Sequence, residues 1–161
     1  MSPLASRFDR LDTRITDLLQ RHGVRMLRYA IAVVFVWFGA LKLIPGASPA
    51  EALVGATMPM LDPSVFVPVL GVWEVLIGAL LLARPTIRIA LLLLALQMPG
   101  TFLPFAVLPE VCWAQWPFQS PLDVFVLTLE GQYIVKNVVL VAAAIVVGGT
   151  ARRRSSPEKL L

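Results

Sequence analysis

The chain has 161 residues, of which 58% are apolar and only 15% charged, well beyond the balance of a soluble domain. Its formal charge of +4 invites nucleic acid as a partner, but the basic residues flank apolar runs instead of gathering on a polar surface, so membrane topology is the better account. Cys112 is the only cysteine, which rules out an intramolecular disulfide or a Cys-x-x-Cys centre and leaves it as a small buried or interfacial side chain.

In chain order, Leu4, Phe8, Leu11, Ile15, Leu18 and Leu19 recur at helical spacing, with Arg7, Arg10, Arg14 and Arg21 off the stripe. This predicts an amphipathic interfacial helix over residues 1–23 on the cytoplasmic leaflet; a helix docked on a partner protein would use the same stripe. Ser2-Pro3 suits its start and Gly23 a break before the membrane. The first span is predicted at 24–44, with Arg25 and Arg28 reaching back to the headgroups and Pro45-Gly46 ending it. The long charged lead-in, with Trp37 and Lys42 inside the run, argues against a cleavable signal peptide. Lys42 shares a helix face with Phe35, Phe38 and Gly39; snorkelling to the interface is its other reading. Residues 46–64 read as a Pro-, Gly- and Ala-rich loop.

The second span, 65–83, carries one acidic residue, Glu74. Gly71 and Gly78 flank it on the same face and let a neighbouring helix approach where the charge sits. Residues 83–86 form a tight hairpin, and the third span, 87–108, places Gln97, Gly100, Thr101 and Pro104 in one narrow sector, with kinks expected at Pro99 and Pro104. Residues 109–127 hold Trp113, Trp116 and Phe118 with Glu110 and Asp123, an aromatic belt at the outer interface or, alternatively, part of a ligand site. The last span, 129–149, opens on Glu130, Gln132, Tyr133, Lys136 and Asn137, and a basic cytoplasmic tail over 150–161 carries Arg152-Arg153-Arg154.

The fold class that follows is all-α: an integral membrane four-helix bundle, 24–149, preceded by the amphipathic segment. Of the 14 basic residues, all but Lys42 and Lys136 lie before the first span, at the second-to-third hairpin or after the last span. The positive-inside rule therefore puts both termini in the cytoplasm. Glu74 is expected to meet Lys42 and Lys136 in the outer half of the bundle with Gln97 near by. Lys136 sits toward the positive end of its helix and needs an anion there. Trp37, Gln132, Tyr133 and Asn137 are secondary candidates. Two lysines against one carboxylate leave a positive charge, which points to an anionic or oxyanion-bearing ligand such as a quinol or sulfur oxyanion. A salt bridge that only fixes helix register is the competing role.

Three blocks, 37–45 (Trp-Phe-Gly-Ala-Leu-Lys-Leu-Ile-Pro), 71–78 (Gly-Val-Trp-Glu-Val-Leu-Ile-Gly) and 130–137 (Glu-Gly-Gln-Tyr-Ile-Val-Lys-Asn), occur in an order that resembles the DoxX-like superfamily of small bacterial inner-membrane proteins, nearest its YkgB-type branch. The resemblance runs from about Arg28 to Gly149 and implies a four-helix membrane bundle. Some relatives serve as the membrane subunit of thiosulfate:quinone oxidoreductase or accompany redox-stress systems, and no agreed catalytic residues carry over. With His22 alone and no metal-ligand spacing, no cofactor held covalently or by metal ligation is expected, while quinone stays open. The first reading is a non-catalytic membrane subunit or anchor of a redox or stress-response system. The alternatives are a quinone-interacting oxidoreductase subunit and a small proton- or anion-coupled transporter. Expected partners are the lipid bilayer, an oxidoreductase, and a second copy of the chain.

Overall fold

The computed structural model describes residues 3–48 and 50–150; the Ser2 start and the tail from residue 151, with its arginines, lie outside them. The described residues are mainly helical, with one isolated antiparallel bridge between Trp113 and Leu127. The elements are α1 (Pro3–Leu41), α2 (Glu51–Thr57), α3 (Pro63–Leu82), α4 (Ile87–Phe102), α5 (Pro104–Val107), α6 (Pro109–Cys112), α7 (Leu129–Val135) and α8 (Asn137–Thr150). Four stretches are long and apolar enough to cross a membrane: Leu11–Leu41, Pro63–Leu82, Arg84–Val107 and Leu129–Thr150.

The expected break at Gly23 is absent, and α1 runs as one helix of 39 residues, roughly 58 Å at 1.5 Å per residue. One helical glycine costs about 1 kcal/mol against alanine, and the strong helix formers at 18–21 and 25–28 outweigh it. Phe8, Leu11, Ile15 and Leu19 lie 18 residues, five turns, before Met26, Tyr29, Val33 and Trp37. All eight are exposed, so a single apolar ridge follows the outer side of α1. Arg25 is exposed, and its guanidinium donates to the Arg21 carbonyl at 3.3 Å. Arg28 does not reach outward as expected. It is 5% exposed, lies 4.8 Å from the Tyr29 ring centroid, and its Nε has no partner among the described residues.

Helices α1 and α3 pack most closely, because their glycines remove the side chains that would hold them apart. A methyl on Gly71 would come within 2.7 Å of the Gly39 carbonyl oxygen, and one on Gly78 within 2.7 Å of the Ala32 carbonyl oxygen. Below these contacts Ile31, Phe35, Ile77, Leu81, Leu94 and Val147 form a narrow core. The hairpin between α3 and α4 is a single 3-10 turn, Arg84–Thr86, closed by the Thr86 hydroxyl donating to the Leu80 carbonyl at 2.6 Å.

The loop expected over 46–64 contains α2. Gly46 turns the chain at φ 73°, a conformation that needs glycine, and its N–H donates to Glu51 Oε2 at 2.9 Å across the start of α2. Asp62 caps α3, accepting from the Ser64 hydroxyl at 2.7 Å and the Ser64 N–H at 2.9 Å, which lower its pKa. Helix α4 continues through Pro99, and the chain breaks at Leu103, one residue before Pro104. The expected last span is likewise two helices, divided at Lys136.

In the 109–127 connection, Trp113 packs against Phe105 at 4.8 Å and Phe118 at 5.4 Å, ring centroid to centroid, and its indole N–H donates to the Val124 carbonyl at 3.1 Å. The aromatic residues thus brace one another. Asp123, 8% exposed, accepts from the Gln119 and Ser120 N–H groups, both at 2.8 Å. Cys112 is fully buried, and burial above all, then the nearby Glu110 and Glu130 carboxylates, raise its thiol pKa. The thiolate share at neutral pH is correspondingly small and grows only above the ordinary thiol range.

Candidate functional site

Where α1 and α3 touch through glycine backbone, Lys42 and Glu74 face each other. Lys42 Nζ lies 2.7 Å from Glu74 Oε2, and both side chains are at least nine-tenths buried. The other carboxylate oxygen, Oε1, accepts from Gln97 Nε2 of α4 at 2.7 Å. Both oxygens of Glu74 are therefore engaged, one by a cation and one by an amide. Because Oε1 accepts, the Gln97 nitrogen must face it, and the Gln97 oxygen turns to a buried position with no partner among the described residues. Lys42 is drawn inward by this pair instead of snorkelling.

Lys136, the third expected member, is not part of the pair. Among the described residues the one ion pair is Lys42–Glu74; Lys136 is exposed, with its ammonium 5.7 Å from the Tyr133 ring centroid. The reason is local. The break makes Lys136 the C-cap of α7, beside carbonyls that favour a cation, and also the residue just before the first turn of α8, so the two short dipoles oppose each other and neither demands a carboxylate from the protein. Asn137 holds the break, its amide donating to the Tyr133 and Ile134 carbonyls at 3.2 and 3.1 Å.

The pair and Lys136 nevertheless border one cavity of about 820 Å³, set among α1, α3, α4, α7 and α8 and bounded also by α2. Its wall is mainly apolar, with Phe35, Phe38, Phe66, Trp73 and Tyr133 the aromatic members and Lys42, Glu74 and Lys136 the charged ones. Phe38 and Tyr133 meet edge to face, with centroids 6.4 Å apart. Gln97 and Asn137 also line the cavity. Trp37 does not: it lies five residues before Lys42, about 140° around the helix, on the outer ridge, 65% exposed. Gln132 is outside the lining too, and its amide donates to the Leu127 carbonyl at 3.3 Å.

Sequence reasoning missed Trp73 and α2. Trp73 is half-buried, with its indole N–H donating to the Leu93 carbonyl at 3.3 Å. Leu53, Val54 and Thr57 bring α2 to the cavity; the signal available was Glu51 ahead of a short apolar run without proline. No group of three or more His, Cys, Asp and Glu gathers among the described residues. Comparison with protein-family models, curated proteins and solved structures finds no match in any of the three.

Proposed function

We propose that this is a multi-pass protein of a bacterial inner membrane, DoxX-like in kind and nearest the YkgB-type branch, acting as a membrane subunit of a redox system. Within that reading we favour direct interaction with a quinone over a purely anchoring role. The carrying observation is that the three sequence blocks behind the resemblance all contribute to one cavity: Phe38 and Lys42 from the first, Trp73 and Glu74 from the second, Tyr133, Lys136 and Asn137 from the third. An anchor has no need of a half-open cavity of about 820 Å³ between its helices. An aromatic wall with a few converging polar groups suits a flat, largely apolar ring bearing oxygen atoms. A soluble or membrane oxidoreductase partner would carry the cofactor that exchanges electrons with it.

Trp73 provides the test. Titrating a short-chain quinone into the protein in nanodiscs should give saturable quenching of tryptophan fluorescence, and Trp73→Phe should remove most of the saturable part. Quenching that rises linearly and equally in both proteins would sink the quinone reading and leave the anchor.

Bilayer insertion is supported by the large apolar side chains on the outside of the bundle, such as Val72, Leu76, Leu92, Val138 and Ile145, all exposed. The charge distribution supports cytoplasmic termini, with the α2 and aromatic connections outside. In this orientation the exposed Arg14, Arg21 and Arg25 of α1 lie on the cytoplasmic side. In intact cells Met60→Cys and Gln115→Cys should react with an impermeant maleimide, whereas Thr13→Cys should not. The buried native Cys112 should stay unreactive until the protein is unfolded. Labelling at position 13 from outside would reverse the orientation.

A further inference from the structure

Charge balance around the cavity is incomplete. Lys42 and Glu74 neutralise each other at 2.7 Å, and Gln97 adds no charge. Lys136 is left as the single cation in the cavity wall without a counter-ion among the described residues. The Tyr133 ring at 5.7 Å offers a weak quadrupolar contact, not a negative charge. Glu130 lies six residues away and off the face of Lys136. An ammonium beside an apolar space, well inside a span, gains most from an anion brought by a ligand.

We propose that the cavity takes a lipophile with one anionic head, a carboxylate on a single apolar chain or ring system, seated with its head at Lys136. This rests on the reading of the cavity as a ligand site and adds a second occupant, an anionic lipophile that would compete with the quinone for the same space. The cavity volume, about 820 Å³, is that of a site for one drug-sized molecule. The apolar lining takes the body, and the hydrogen bonds already made by Glu74 leave the lysine as the group that selects the head. Because Lys136 is exposed and stands at a helix break, its ammonium can meet the head without breaking the Lys42–Glu74 pair.

The test uses two fluorescent probes of one shape, 11-(dansylamino)undecanoic acid and its methyl ester, with the full chain in phosphatidylcholine nanodiscs at pH 8. The acid should bind saturably and roughly tenfold more tightly than the ester, the factor expected of one charge-assisted contact. Lys136→Gln should bring the acid down to the ester's affinity while leaving the ester unchanged, and Lys136→Arg should keep the preference. Added phosphatidylglycerol should not displace the acid; displacement would assign the head site to two-chain anionic lipid and overturn the single-chain proposal. Equal affinities in the unaltered protein, or a preference that survives Lys136→Gln, would overturn the charge assignment while leaving a ligand cavity. Failure of both probes to bind saturably would overturn this proposal, while the quinone reading stands or falls on its own Trp73-dependent quenching.

Discussion

Lys42→Met should destabilise the protein by about 3–5 kcal/mol, the usual consequence of removing one partner of a buried ion pair. The cause is what remains: a Glu74 carboxylate at most a tenth exposed, with the Gln97 amide at 2.7 Å as its one hydrogen-bond donor. Replacing both members by neutral groups of similar size, Lys42→Met with Glu74→Gln, should recover the stability to within about 1.5 kcal/mol of the unaltered protein, because the buried charge is then gone from both sides. Gln97 could still donate to the amide oxygen introduced at position 74. Equilibrium unfolding in mixed micelles measures the three proteins side by side. A double variant as unstable as Lys42→Met would mean that the lysine stem's packing, not its charge, holds α1 to α3. If the pair serves only to fix helix register, the double variant should also keep the saturable quinone quenching.

The approach of α1 to α3 was legible because the signal is local. Glu74 lies three residues after Gly71 and four before Gly78, and Lys42 follows Gly39 by three, so helical geometry alone aligns each charge with its small neighbours. Gln97 was legible as the polar member of the narrow sector on α4. Lys136 was misread because its role depends on where a helix stops. Asn137 is the one local sign of a break after Tyr133, and the dipole argument loses its force when Lys136 stands between the end of α7 and the start of α8. Trp73 was hidden for a different reason: α3 is apolar on nearly every side, so periodicity cannot separate a cavity wall from a lipid-facing surface. The continuity of α1 through Gly23 and the folding of α2 under a Pro- and Gly-rich composition show the same limit, since a weak local breaker yields to the helix formers and contacts around it.

Alanine substitutions at the glycines should separate into two groups, with the largest losses where the added methyl meets backbone. At Gly71 it would meet the Gly39 carbonyl at 2.7 Å and the Lys42 Cβ at 2.9 Å, and at Gly39 it would meet the Gly71 carbonyl and the Glu74 Cβ, both at 2.8 Å. These are the atoms that carry the ion pair, so prying the helices apart also lengthens the Lys42–Glu74 contact. Overpacking of this kind costs about 1–3 kcal/mol, and the strained pair should bring Gly71→Ala to the upper end. Gly131→Ala should be as damaging for another reason. Its methyl would run into the Cys112 carbonyl oxygen, which also accepts from the Thr128 N–H at 3.1 Å where α6 meets α7. Gly23 and Gly149 have nothing within 4 Å of an added methyl, and both are helical. Gly23→Ala and Gly149→Ala should therefore be neutral or stabilising by up to about 1 kcal/mol, the helix propensity gained. Thermal unfolding of the five variants in one detergent gives the comparison. If Gly71→Ala unfolds with Gly149→Ala instead of well below it, α1 and α3 do not meet through backbone at Glu74, and the ion pair has some other support.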